Sequence, residues 1–142
     1  MLDRLNQNFF PGMIAWSGAS NKKPMYAATI NGEHPFLFKN AVTNANWKMD
    51  THCHLIKVLD ANKVHVLAKS EDLAKDDPDR QGVLAVYFQY GRGYVMHMTA
   101  HFDRSQSSNK NLLLDSAPLI GISLRQAIAI NYVVAGLSGT KL

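Results

Sequence analysis

Val83-Leu-Ala-Val-Tyr-Phe-Gln-Tyr90, followed by Gly91-Arg92-Gly93 and then by Tyr94-Val-Met-His-Met-Thr-Ala100, is the stretch on which the fold depends. Two runs rich in branched and aromatic residues flank a short link with two glycines, each able to take backbone angles that other residues avoid. That pattern predicts a β-hairpin. Both arms are apolar at nearly every residue instead of alternating, as in a central strand covered on both faces. Helices or loops are therefore expected on either side.

Upstream, Leu55-Ile-Lys-Val-Leu59 and Val64-His-Val-Leu-Ala68 read as two strands joined by the turn Asp60-Ala-Asn-Lys63. Met25–Ile30 is a shorter β-type run closed by Asn31-Gly32, and His34-Pro35 opens the apolar knot Phe36-Leu37-Phe38. Residues 70–82 are polar and acidic with one proline, which reads as a surface loop. At the amino end, Leu2, Leu5 and Phe9 fall at helical spacing before Pro11-Gly12, so residues 1–23 are expected to form an arm or short helix.

Downstream of the hairpin, residues 104–122 form a long polar connection, of a length that in compact domains usually carries function. A helix over residues 123–136 follows, opened by the capping pair Ser123 and Gln126 and closed by Gly136. A membrane span over 117–137 fails on Arg125, Gln126, Asn131 and Pro118.

The chain of 142 residues, with no internal repeat, is expected to form one domain over 1–142. A single cysteine excludes an internal disulfide framework. The first residues show no basic-then-apolar leader pattern, so a cytoplasmic protein is expected. The net charge of +4 prompts a search for a nucleic-acid surface. Basic and acidic side chains number five and three over 1–50, six and seven over 51–103, and four and one over 104–142. Such a thin excess, with Lys22-Lys23 as its only adjacent pair, does not make the basic stripe with aromatic platforms that nucleic acid requires.

Six histidines invite a search for metal ligands. On an extended chain His97 and His101 lie about 13 Å apart, too far for one ion. His52 and His54, roughly 6–7 Å apart, converge on an ion only with a third ligand such as His97. No cofactor or metal is expected. Cys53 has His52 and His54 as neighbours, but on a strand they point to the opposite side and do not activate it.

The order of segments resembles the later part of class I glutamine amidotransferase-like domains, nearest to the trehalose-utilisation type. The residues that carry this likeness are His34-Pro35, an aromatic stretch with Trp47, Val66-Leu67-Ala68-Lys69-Ser70, and the run from Val83 through Gly91-Arg92-Gly93 to His101-Phe102-Asp103. The resemblance implies a small flavodoxin-like three-layer α/β sandwich with a mixed sheet and a β-hairpin, incomplete at this length. It also implies that His101 and Asp103 stand where the base and orienting carboxylate of a catalytic triad belong. The family's elbow cysteine has no counterpart in residues 1–33.

The expectation is therefore a degenerate, non-catalytic amidotransferase-like module binding a small molecule or a protein partner. Its site is expected at the strand ends, with His101, Asp103, Arg104 and Trp47 as ligand-binding residues. Apolar faces left uncovered by so few helices imply a homo-oligomer or a partner chain. The competing expectations are a hydrolase using His101 and Asp103 with Cys53 as nucleophile, and metal chemistry through His52, His54 and His97.

Overall fold

A computed structural model describes residues 10–39, 46–49, 52–100 and 124–141. In chain order its elements are β1 (Ile14–Ser20), β2 (Met25–Ala27), β3 (Thr29–Ile30), β4 (Asn46–Lys48), β5 (His54–Val58), β6 (Val64–Lys69), α1 (Glu71–Asp76), β7 (Val83–Tyr90), β8 (Gly93–Met98) and α2 (Leu124–Ser138).

The hairpin forms as its sequence dictates. Tyr90 pairs with Gly93 and Ala85 with Met98, so Gly91-Arg92 is a two-residue turn. Strand β7 is buried over its first six residues and lies between β6 and β8, with β5 joining it at Val83. Strand β8 is a half-buried edge. The sheet path is β1-β5-β7-β6-β3 with β8 on β7, and β2 and β4 form a separate two-stranded sheet.

Two expectations about the architecture are corrected. Every strand pairing among the described residues is antiparallel, unlike the parallel core of a doubly wound flavodoxin-like domain; this is an α/β chain dominated by an antiparallel sheet. The two strands expected at 55–59 and 64–68 form as β5 and β6; each pairs with β7. Within 1–23, residues 14–20 are a strand paired with β5, because Ile14 and Trp16 face an apolar surface that β5 offers.

The sheet has a core on each face. Leu84, Ala85 and Tyr87 of β7 join Tyr26, Leu37, Trp47, Leu67 and Ile128 in the larger cluster, beneath α2 and the β2–β4 pair. Val83, Val86 and Phe88 join Ile14, Ile56 and Val64 in the smaller one, with no helix among its members. Leu84 and Ala85 face the same way because register shifts where β6 meets β7 break the alternation of side chains.

The acidic segment 70–82 is not a plain surface loop. Ser70 accepts a hydrogen bond from the Leu73 amide and caps α1, whose Leu73 is fully buried. The buried Asp77 carboxylate accepts from the amides of Asp79, Gln81 and Gly82, all at 3.0 Å. The Gln81 carboxamide donates to Val58 O at 3.1 Å and accepts from Val58 N at 2.7 Å. It stands where a backbone rung would follow the Ile56–Val83 pair. Lys22 and Lys23 face Asp76 and Asp72, each at 3.6 Å, so the basic pair is answered within the fold.

Helix α2 runs past Gly136 to Ser138, two residues beyond the expected end. There Gly139 (φ +69) reverses the chain, and the Thr140 amide donates to Ala135 O at 3.0 Å. Asn131 reaches from α2 to the carbonyls of Leu37 and Lys39, fastening the 34–39 turn under the helix. Among the described residues no helix is long and apolar enough to cross a membrane.

Candidate functional site

The face of the sheet that carries the larger core runs toward the β7–β8 turn as His65, Tyr87, Gln89 and Tyr94. Near that turn it opens as a cleft of about 810 Å³. Its walls are His34, Asn62, Lys63, His65, Tyr87, Gln89, Gly91, Tyr94 and Lys141. The His65 ring stacks on Tyr87 with centroids 4.7 Å apart and an interplanar angle of 16°. His34 meets both edge-on, at 5.3 Å from His65 and 5.2 Å from Tyr87. Register supplies the stack, because His65 of β6 lies directly opposite Tyr87 of β7.

His34 is the distinctive group. It is 9% exposed, and neither ring nitrogen has a hydrogen-bond partner among the described residues. Buried polar groups are ordinarily satisfied, so an unsatisfied imidazole beside a cleft marks a place for a ligand or water. Burial and the neighbouring His65 hold its pKa below the usual imidazole value, against a smaller opposing pull from Glu33. A neutral ring results, with one donor and one acceptor. Burial raises the Tyr87 hydroxyl. Among the described residues the walls carry two lysines, two imidazoles, two phenols and two amides, and no carboxylate, thiol or aliphatic hydroxyl.

The expected site is only partly placed. His101, Asp103 and Arg104 lie outside the described residues, as does the long connection that includes them. Trp47, expected at a ligand site, is instead 1% exposed in the larger core, donating through Nε1 to Thr99 O at 3.3 Å. It is a core residue because β4 lays it under the sheet opposite Tyr26. Cys53 packs against the same core, its amide held by the Asn21 side chain at 2.8 Å. His52 sits at φ +62, and His54 meets Trp16 edge-on at 4.4 Å. No three of the described His, Cys, Asp and Glu residues are grouped to hold a metal ion.

His97 of β8 lies opposite Val86, half-buried, and burial pushes its pKa down to about 4. Its folded value thus lies below the unfolded one, so its contribution is complete above about pH 6.5 and is lost as the pH falls toward 4. The stability advantage of the wild type over His97→Gln is expected to shrink by about 2–3 kcal/mol between neutral pH and pH 4, read from urea unfolding at each pH. A constant difference across that range would refute it.

Sequence reasoning named none of the cleft residues as a site. It weighed histidines close together in the chain, whereas His34 and His65 meet only through the fold. The usable signal is the His34-Pro35 turn, together with a hairpin whose Tyr87 and Tyr94 fall on one face. Compared with known proteins, the chain matches no family model, no curated protein and no solved structure.

Proposed function

We propose that this chain is a non-catalytic binding module that takes a small molecule in the cleft of His34, His65, Tyr87 and Tyr94; its likeness to degenerate amidotransferase-like domains over residues 34–103 is one of sequence motifs and does not extend to the sheet topology. The observation that carries this reading is His34, a buried imidazole with neither nitrogen partnered among the described residues, beside a stacked aromatic pair. The cleft falls within the roughly 300–1,000 Å³ typical of ligand pockets. Its walls offer donors and rings but no nucleophile paired with a base, which favours binding over hydrolysis.

Screening a library of small soluble compounds by nuclear magnetic resonance tests the proposal. Binders are expected to shift the His34, His65 and Tyr94 signals. His65→Ala should weaken them about three- to tenfold through loss of one aromatic contact, while leaving the fold intact because His65 is exposed. A library that leaves all three signals unmoved would sink the reading. Glutamine hydrolysis by the wild type that disappears in His101→Ala would transfer the argument to the hydrolase alternative.

A further inference from the structure

Beside the cleft runs a second depression of about 520 Å³, floored by the last turns of α2 and lined by apolar surface from Tyr132, Val133, Gly136 and Leu137. The two cavities share Tyr94 and Lys141, so they form one trough with a polar end and an apolar end. A hydrogen bond from the Tyr132 hydroxyl to Tyr94 O, at 2.7 Å, fixes helix against hairpin at the junction. Val133 is 57% exposed and Leu137 85% exposed, the kind of outward apolar surface that a bound chain would cover.

Charge and shape point the same way. Lys63 and Lys141 line the polar end with no carboxylate among the described residues of either wall, and the ion pair of Lys63 with Asp60, at 3.5 Å, is partly exposed and weak. At Gly136 an added Cβ would meet nothing within 4 Å. Packing within the described fold therefore gives no reason for a glycine in mid-helix, where it costs about 1 kcal/mol relative to alanine. The open floor that it leaves is the track for a chain.

We infer that the ligand is a single-chain amphipathic anion. Its carboxylate or phosphate head lies against Lys63, Lys141 and His34, and its alkyl chain lies along Val133, Gly136 and Leu137. This inference rests on the cleft being a binding site and adds the class of ligand.

Titration with decanoate and decyl phosphate, each kept below its micelle concentration and followed by calorimetry and by the Tyr94 and Leu137 resonances, tests it. Both are expected to bind, octanoate about tenfold more weakly than decanoate, because each buried methylene adds about 0.8 kcal/mol. Decanol should bind at least fivefold more weakly. Acetate and inorganic phosphate should produce no saturable signal. Lys141→Gln is expected to weaken decanoate about fivefold and leave decanol unchanged. Gly136→Leu is expected to abolish chain-length dependence while keeping or raising the unfolding midpoint, which separates a filled groove from a damaged fold.

Decanol binding as tightly as decanoate overturns the anionic head while leaving the binding module in place. Affinity that ignores chain length overturns the alkyl track along α2, again leaving the binding module in place. Attachment to anionic phosphatidylglycerol vesicles without binding of monomeric decanoate overturns the inference in favour of a membrane surface. A dimer in sedimentation that Leu137→Glu dissociates, and that decanoate does not, overturns it in favour of a second copy. Failure of every probe to move the cleft signals removes the inference; if the compound library fails as well, the binding reading goes with it.

Discussion

Gly82→Ala is expected to destabilise the protein by about 3–5 kcal/mol, through overpacking combined with a left-handed backbone. Gly82 has φ +59, a conformation in which a side chain is strained whatever the space around it. The space is lacking too: a Cβ there would press on the Ser70 carbonyl oxygen and come within 2.8 Å of the Ala74 nitrogen. Neither neighbour can yield, because Ala74 N donates to Ser70 O at 3.0 Å within α1, and Ser70 N donates to Gly82 O at 2.8 Å. The methyl group must therefore separate the start of β7 from the end of β6. Urea denaturation gives the measurement, and a loss below about 1 kcal/mol would show that the segment repacks freely.

Asp77→Ala comes next, at about 3–4 kcal/mol. Asp77 is 1% exposed and its carboxylate accepts from the amides of Asp79, Gln81 and Gly82, so removing it leaves three donors without that acceptor. Asp79→Ala provides the contrast. It deletes a partly exposed ion pair to Lys57, at 2.8 Å, and should cost under about 1 kcal/mol. Equal effects from the two substitutions would mean that charge in the segment matters and the buried knot does not. Because Gly82 and Asp77 hold the same turn, the double variant should lose less than the two single losses added together.

The sequence makes some features plain and hides others for physical reasons. The β7–β8 hairpin is legible because a two-residue turn and continuous apolar strands are both local signals. The partners of β7 are not, since β5 and β6 carry similar branched runs and nothing local says that each seeks a third strand instead of the other. Strand β1 escapes notice because Gly18 and three small or hydroxylated neighbours dilute its pattern. Helix α1, at six residues, is too short to show a period, and its acidic face imitates a loop. The end of α2 is missed by two residues because the chain holds two glycines near it, and only Gly139 is set in the left-handed conformation.

The candidate site is harder still to read. Its residues come from a turn, from two neighbouring strands, from the hairpin and from the end of α2. Each has an ordinary local role in the sequence. Only the register that stacks His65 on Tyr87, and the packing that leaves His34 with no hydrogen-bond partner among the described residues, bring them together.

The Gln81 carboxamide standing in for a backbone rung has a consequence for how the molecule comes apart. Strands β1 and β5 meet the remainder of the sheet through one residue pair, Ile56 with Val83, and through that borrowed amide on Val58. Strand β6, by contrast, is laddered to β7 along its length. The sheet is thus two leaves joined along a narrow seam, one being β1–β5 and the other β3–β6–β7–β8. The ladder is therefore not what binds the smaller leaf: Ile14 and Ile56 pack with Val64, Val83, Val86 and Phe88 of the larger one, and that shared apolar cluster resists their separation.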